Sequence, residues 1–595
     1  MSVNKDLAAC FSTIASLLEL TGADRFRVSA HQRAARAIDS NTKDLCALAL
    51  EDPDALEAIE GIGKKSAAKI REFAEDGTVA ELEELESQVP AGVLDVMAVP
   101  GLGPKTTRLL WQELDVTSHD DLRRVIDDGS ILELPRMGKK TVENITKSLE
   151  FLQQAGDRMA LGIAYPLAME IVESLRAIKG ATRVEYAGSL RRGRETIGDI
   201  DVLATSKKPE TLHEAFRAMD GVTQVLVAGD TKSSVRLVRE DITGRPQHFQ
   251  ADLRTLPPDR FGAAWMYFTG SKEHNVVLRE RALQKGMTLN EYGLFPEDND
   301  PEPPQNRDID PVASKEEDDI YAALEMPFIP PEMREDAGEF RFTRDAPTSI
   351  IELDDVRSEL HAHTTASDGR LSIEELASEA MSRGFHTIAV TDHSKSQTVA
   401  NGLDEDRLRA HIDAIREADA TLEGIRVLAG SEVDILPDGN LDYDDELLSE
   451  LDIVVASPHW ALQQKPDVAT KRLLRAIEHP SVRIIGHPTG RMIAKREGLE
   501  PDLEQIIAAA REHHVALEIN AHWRRLDLRD THVRAAVDAG VLIAINCDVH
   551  TPENFDNLRY GVMTARRGWL PPERCVNTWP ANRLHAWLKT GRDSP

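Results

Sequence analysis

A chain of 595 residues exceeds what one hydrophobic core can organise, and its 41% hydrophobic content excludes a disordered polymer, so three or four globular domains are expected. Four cysteines, Cys10, Cys46, Cys547 and Cys575, form no CxxC pair, which argues against a zinc ribbon or a disulfide framework and suits a reducing cytoplasm. The first twenty residues show no basic leader and no stretch of about twenty apolar residues occurs, so the expectation is a cytoplasmic protein without a membrane span. The net charge of −31 suits nucleic acid poorly until its distribution is considered. Residues 181 to 295 carry 17 Lys and Arg against 15 Asp and Glu, whereas 296 to 355 carry 5 against 19, the pattern of a solvated linker. Arginine outnumbers lysine by roughly two to one, and with a pI of about 5.1 this suits a halophilic host, whose salt would screen the self-repulsion.

In chain order, Leu7, Phe11, Ile14, Leu17 and Leu18 recur at helical spacing and describe packing. EAIEGIGKKSAAKIREF then places Gly61 and Gly63 in a turn that opens a helix, with Lys65 beside it. Related patterns recur at AVPGLGPKTTRLLW, which holds Gly101 and Gly103, and at LPRMGKKTVENI. Each fits two helices joined by a tight turn, with N–H groups of the second helix meeting one DNA phosphate without reading sequence. These repeats resemble helix-hairpin-helix motifs.

The stretch AGSLRRGRETIGDIDVL, residues 187 to 203, carries Asp199 and Asp201. In a strand, successive side chains alternate faces, so these two aspartates share one face while Ile200 and Val202 enter the core. A third carboxylate, Asp252, lies in another β-like run, HFQADLRTL. Three carboxylates on adjacent strands can ligate two magnesium ions, one at a 3'-hydroxyl and one at a triphosphate. Gly188 and Ser189 fit a turn whose N–H groups and hydroxyl meet phosphate oxygens, and Arg192 adds positive charge.

GSLRRGRETIGDIDVL followed by YFTGSKEHN resembles the palm and thumb of family X DNA polymerases, the group that includes DNA polymerase beta. The resemblance implies that Asp199, Asp201 and Asp252 hold two Mg2+ or Mn2+ ions. It further implies that Gly188, Ser189, Arg192 and Gly198 bind the deoxynucleoside triphosphate, and that Tyr267, Phe268, Gly270 and Asn275 line its sugar and base pocket. Ile197 departs from the better-known members, which have a small hydroxyl residue near the triphosphate, a departure that bears on one phosphate contact and not on the mechanism. In this family one hairpin grips a downstream 5' end and another the primer strand, which implies gapped or nicked DNA and primer 3' ends as partners. In the polymerase beta branch a lysine of the first hairpin attacks the abasic sugar; aligned through Gly61 and Gly63 it is Lys69, for which a plain phosphate contact is the equal alternative. His31 replaces an aromatic of that branch, which counts against strong lyase activity.

The domain plan that follows is helical and hairpin-bearing over 1–80 and 81–150, an α+β nucleotidyltransferase palm over 151–255, and a thumb over 256–335. The run PEDNDPEPPQNRDIDP reads as a loop, and a linker is expected at 336–350. A helix from His274 onward is expected to present Arg279 and Arg281 to solvent or DNA.

From residue 356, β-branched strands alternate with helices, the mark of a parallel α/β fold. Apolar runs end in turn at His361 and His363, His393, Glu432, His459, His487, Asn520, and Asp548 with His550. In an α/β barrel such strand ends converge on one rim, and imidazoles with a bridging carboxylate select zinc, manganese or iron over calcium. With Asp368, the set resembles the PHP (polymerase and histidinol phosphatase) domain, a (β/α)7 barrel expected over 351–595. The resemblance implies up to three Mn2+ or Zn2+ ions. His361, His363, Glu432 and Asp548 would hold one; Glu432 would bridge to a second held by His459; Asp368, His393, His487 and His550 would hold the third. His522 lies outside that set, as a ligand-orienting or substrate-contacting residue, and Arg491 reads as a solvated loop arginine rather than a phosphate ligand.

The reading as a whole is a monomeric gap-filling repair polymerase of family X, acting in base excision repair and joined to a 3'-5' exonuclease with 3'-phosphatase or abasic endonuclease capacity. Its main rival is a DNA-end-processing nuclease or phosphatase whose polymerase half only binds DNA. A non-catalytic scaffold and a histidinol phosphate hydrolase are further alternatives.

Overall fold

The structure is a computed structural model that describes residues 3–589 except 40, 42, 60, 91, 98, 100, 101, 136, 144, 147, 148, 150–157, 299, 301, 308 and 344–348. The chain divides into two compact units, Met1–Asp157 and Arg158–Pro595. No helix among the described residues is long and apolar enough to cross a membrane.

In the first unit, α1 (Val3–Thr21) packs on α2 (Arg25–Asp39), and Leu7, Phe11, Ile14, Leu17 and Leu18 are all buried, as their spacing requires. The second helices of two hairpins are α3 (Lys64–Asp76) and α4 (Pro104–Leu114), which start after Gly63 and Gly103 in extended conformation. Nothing lies within 4 Å of where a Cβ would sit on either glycine, so the helix N-termini stay open to a phosphate. Gly61 has φ +93°, where a side chain would be strained, and Lys65 is exposed. Gly101 lies outside the described residues.

The second unit begins with α5 (Leu161–Arg176) over a five-stranded sheet. Its strands are β1 (Ala181–Tyr186), β2 (Asp199–Ser206), β3 (Val222–Ala228), β4 (Lys232–Glu240) and β5 (Pro246–Thr255), in the spatial order β1-β2-β5-β4-β3. Ile200 and Val202 point into the core under α5 while the aspartates face out. Helices α6 (Phe261–Thr269) and α7 (Lys272–Gln284) lead into a small hairpin and a tail of short helical turns. Arg279 is exposed on α7, but Arg281 turns back to donate to the Phe340 carbonyl at 3.0 Å.

Of the acidic stretch from 296 to 355, the described residues up to 312 stay at the surface, but those from 313 on are largely packed rather than solvated. Glu317, Glu332 and Glu339 are buried, paired with Arg191 and Arg334, with Arg566, and with His274 respectively. The expected linker is likewise packed at its start: Glu339 accepts from His274 Nδ1 at 2.7 Å and Phe340 stacks on that imidazole. Composition reads these carboxylates as solvated because Arg191, Arg566 and His274 stand far away in sequence and nothing local shows that Arg334 turns back onto Glu317.

Seven parallel strands follow: β6 (Ser358–Glu359), β7 (Thr387–Val390), β8 (Arg426–Asp434), β9 (Ile453–Ser457), β10 (Val482–Ile485), β11 (Ala516–Asn520) and β12 (Ile543–Asn546). Each pairs with the next, and a bridge between Ala362 and Val549 joins the last to the first, so the sheet curls into a nearly closed (β/α)7 barrel. Helix α8 (Leu558–Arg567) follows β12 and faces the palm. There Leu526 and Tyr560 enter the palm core, and Gly162 of α5 leaves no room for a Cβ beneath Trp523.

Candidate active sites

The palm site rests on β2 and β5, which run parallel with Asp201 directly opposite Asp252. Asp199, one pleat away, opens to solvent on the same face. Burial, then Asp199 and Asp252, push the Asp201 carboxyl up to about 7, and burial and Asp252 raise Asp199. Three crowded carboxylates of this kind call for cations, and one is present: Lys232 Nζ on β4 lies 2.8 Å from Asp252 Oδ2. Gln250 Nε2 donates to the other oxygen of Asp252 at 3.0 Å. Gln250 shares a face with Asp252 by strand alternation alone, whereas Lys232 reaches it only through the tertiary register of β4 on β5.

Gly188 sits above this pair with φ +64°, and a Cβ there would overlap the Asp201 carboxylate. It opens a short helical turn, Gly188–Arg191, that carries half-buried Ser189. Gly198 is exposed beside the Arg158 guanidinium, and Ile197 is fully buried. Arg192 reaches the rim, but its Nε lies 3.0 Å from Glu335 Oε1 and its guanidinium also donates to the Thr269 carbonyl. Gly270, at φ +71°, leaves the space that this guanidinium needs. Tyr267 and Phe268 meet edge to face at 5.2 Å, Asn275 Nδ2 donates to the Tyr267 carbonyl at 2.7 Å, and Arg254 lies 4.3 Å over the Phe268 ring.

The barrel site lies at the C-terminal strand ends, centred on buried Glu432 of β8. His361 Nε2 and His459 Nε2 each lie 3.3 Å from its Oε1, and His393 Nδ1 lies 2.9 Å from its Oε2. His363 Nε2 lies 3.2 Å from Asp548 Oδ1. Across the bowl, Asp368 Oδ1 is 3.4 Å from His550 Nε2 and 3.6 Å from His393 Nε2. The described side chains close enough to share an ion form three groups: His363, Asp368, His393 and His550; His361, His363 and Asp548; and His393, Glu432 and His459.

His487 departs from expectation. Its Nε2 lies 2.9 Å from Glu432 Oε1 and its ring faces those of His459 and His361, so it joins the Glu432 cluster rather than the Asp368 group. His487 follows β10, the neighbour of β9 that carries His459, and has a φ of +25°.

The donor set fits divalent metal. His361 Nε2, His363 Nε2, both Glu432 oxygens and Asp548 Oδ1 are buried and make no hydrogen bond, although they crowd together. Burial opposes ionisation throughout, yet Glu518, Glu432 and Asp548 hold the His361 pKa well above the ordinary imidazole value, and burial with His550 and His393 drives His363 to about 4. Behind the ligands, Glu518 of β11 accepts from His361 Nδ1 at 2.8 Å and Asn546 Nδ2 at 2.9 Å, while Asp392 accepts from His411 and the 364–367 turn. Glu518 thereby turns His361 Nε2 toward Glu432, whereas Asp392 ties down the turn after His363. Asn520 Nδ2 donates to Asp548 Oδ2 at 3.0 Å; His522 is driven to about 4 by burial and stacks on Trp523. Arg491 is not solvated: it is largely buried and binds Glu195 of the palm at 2.7 Å.

In the first unit, Lys69 Nζ and His31 Nε2 each lie 3.0 Å from Glu81 Oε2, and Arg27 binds the other oxygen. His31 therefore serves an ion-pair cluster where an aromatic was expected.

Two catalytic clusters on a palm and a barrel define a nucleotidyltransferase joined to a metal-dependent phosphoesterase. Family models match as a helix-hairpin-helix domain over residues 2–79, a SAM-like helix-hairpin-helix tandem over 93–150, the DNA polymerase beta thumb over 264–335, and the PHP domain over 359–522. The chain is 37% identical over 585 residues to the DNA polymerase/3'-5' exonuclease PolX of Bacillus subtilis, covering 98% of this chain and 99% of that one. DNA polymerase lambda of Rattus norvegicus is 28% identical over 249 residues, 40% of each chain. A probable phosphatase of Thermoanaerobacter sp. is 28% identical over 240 residues, 38% of this chain and 93% of its own. The chain belongs to the PolX family of family X DNA polymerases.

Proposed function

We infer that the chain is a DNA-directed DNA polymerase with a barrel-borne 3'-5' exonuclease, filling gaps in DNA repair. The observation that carries this reading is the presence in one unit of two separate cation-seeking clusters, Asp199, Asp201 and Asp252 on the palm and the bowl around Glu432. The three aspartates would hold Mg2+ or Mn2+. The bowl residues, with His487 beside Glu432, would hold Mn2+ or Zn2+. Bound there, divalent ions neutralise phosphate charge and provide a nucleophile at neutral pH.

The chain's own groups do the positioning. Gly188 and Ser189 offer a concave turn to the triphosphate, and Glu335 fixes the direction from which Arg192 approaches it. Tyr267, Phe268, Gly270 and Asn275 form one wall for the nucleotide, rigid because Asn275 ties back to α6. The primer 3'-oxygen bonds the α-phosphorus and pyrophosphate leaves, a step that positioning and charge stabilisation dominate. In the barrel, Glu518 and Asp434 orient ligand imidazoles, and the exonuclease clears 3' ends before filling. The hairpin units of 1–80 and 81–150, through Gly61, Gly63, Lys65, Gly101 and Gly103, hold the DNA backbone. Base excision repair, a cytoplasmic location and a monomeric state complete the proposal. Lys69 is the candidate lyase nucleophile, a plain phosphate contact being the equal alternative; a borohydride-trapped adduct on nicked abasic DNA, lost in Lys69→Arg, would support the first role, and no adduct would leave Lys69 to its ion pair with Glu81.

The test is a labelled primer on a one-nucleotide gap with Mg2+ or Mn2+, comparing wild type, Asp201→Ala and His361→Ala. Extension lost only in the first and 3' degradation lost only in the second establishes both sites. A wild type that degrades but never extends would sink the polymerase reading in favour of an end-processing nuclease.

A further inference from the structure

The rim of the barrel carries an aromatic ring that packing does not explain. Trp460, directly after His459 beyond β9, is 44% exposed, although a tryptophan normally buries most of its large surface. It is nevertheless anchored. Its Nε1 donates to Asp434 Oδ2 at 3.2 Å, and its carbonyl accepts from Arg472 Nη1 at 2.8 Å. Asp434, fully buried at the end of β8, also accepts from His459 Nδ1, from the Ser396 hydroxyl and from Gln397 Nε2 at 2.9 Å. One carboxylate therefore fixes both the imidazole whose Nε2 faces Glu432 and the neighbouring indole.

A flat exposed ring locked to a phosphoesterase centre has the form of a stacking platform. Every nucleobase has a π-face, so such a platform serves an exonuclease that must take any terminal nucleotide. We propose that Trp460 is the base-binding surface of the nuclease subsite, holding the nucleobase of the 3'-terminal nucleotide while its linking phosphate lies at Glu432 and His459. The proposal rests on the exonuclease reading of the barrel.

The test uses the full chain as wild type, Trp460→Ala and Trp460→Phe, on primers ending in an ordinary nucleotide or in an abasic residue. Stacking is equal in ground and transition state, so the loss in Trp460→Ala should fall on KM rather than kcat. KM for the base-bearing end should rise between about fivefold and a hundredfold. For the abasic end KM should not change, and Trp460→Phe should recover most of the affinity. Bound metal and primer extension should match wild type. Unchanged KM on the ordinary end would overturn the proposal, and so would equal losses on both ends or loss of metal, which would make the indole a support for Asp434. No release by wild type from either end would overturn the exonuclease reading and this proposal with it, an outcome distinct from the others.

Discussion

Gly188 shows how a single hydrogen atom decides an active site. Its φ of +64° and the Asp201 carboxylate against it both forbid a side chain. Gly188→Ala should push that carboxylate away from Asp252, and displacement of about an ångström costs on the order of a hundredfold in rate. Primer extension should fall by about that factor while 3' degradation persists; equal loss of both would show a general folding defect. Glu81 makes a second residue-scale case. Burial alone would raise its carboxyl, but Arg27 and Lys69 bring it down to about 2 from an ordinary 4.5. A carboxyl depressed on folding stabilises the fold above its unfolded pKa and loses that contribution as pH falls through the folded one. The first unit should therefore weaken as pH drops from about 4.5 toward 2, and Glu81→Gln should remove about 1–3 kcal/mol at neutral pH and flatten that decline in thermal melts.

At the scale of elements, strand ends carry the chemistry and neighbouring strands hold it in place. Glu518 of β11 is buried with its carboxylate on His361 Nδ1 and on the His487 backbone N–H at 2.6 Å. Glu518→Gln leaves one acceptor oxygen where there were two, so either the His361 Nδ1–H or the His487 backbone N–H faces a donor. Metal affinity of the bowl should drop about ten- to a hundredfold by titration calorimetry, with gap filling retained. Unchanged affinity would reduce Glu518 to packing. Backbone strain lies nearby: Asp548 and His487 have φ of +53° and +25°, a conformation that ordinary side chains adopt rarely and that aims both into the bowl.

Across the whole molecule, palm, thumb tail and barrel meet at one arginine. Arg567 of α8 binds Glu335 at 2.8 Å, Asp530 at 2.7 Å and the Arg192 carbonyl at 2.8 Å. Glu335 in turn holds Arg192, so the expected triphosphate ligand is tied to the nuclease barrel through one carboxylate. Arg567→Ala would leave two half-buried carboxylates short of a partner, Glu335 keeping Arg192, and such a loss costs about 1–3 kcal/mol. The second unit should melt at lower temperature by a corresponding amount, with extension more impaired than degradation because Arg192 loses its support. An unchanged melting temperature would show that the clasp contributes nothing.

What was legible in the sequence was local. Period-two alternation set Asp199 and Asp201 on one face, glycines at helix starts marked the hairpins, and histidines following apolar runs marked the barrel rim, because each signal lies within a few residues of its cause. Tertiary structure alone decided the remainder. Lys232 meets Asp252 through sheet register, His487 meets Glu432 across neighbouring strands, and Glu317, Glu332 and Glu339 are buried because Arg191, Arg566 and the His274 imidazole reach them from other elements. Short-range pattern selects the chemical groups; long-range packing selects which of them meet, since Coulomb and hydrogen-bond energies depend on distance in space and not along the chain.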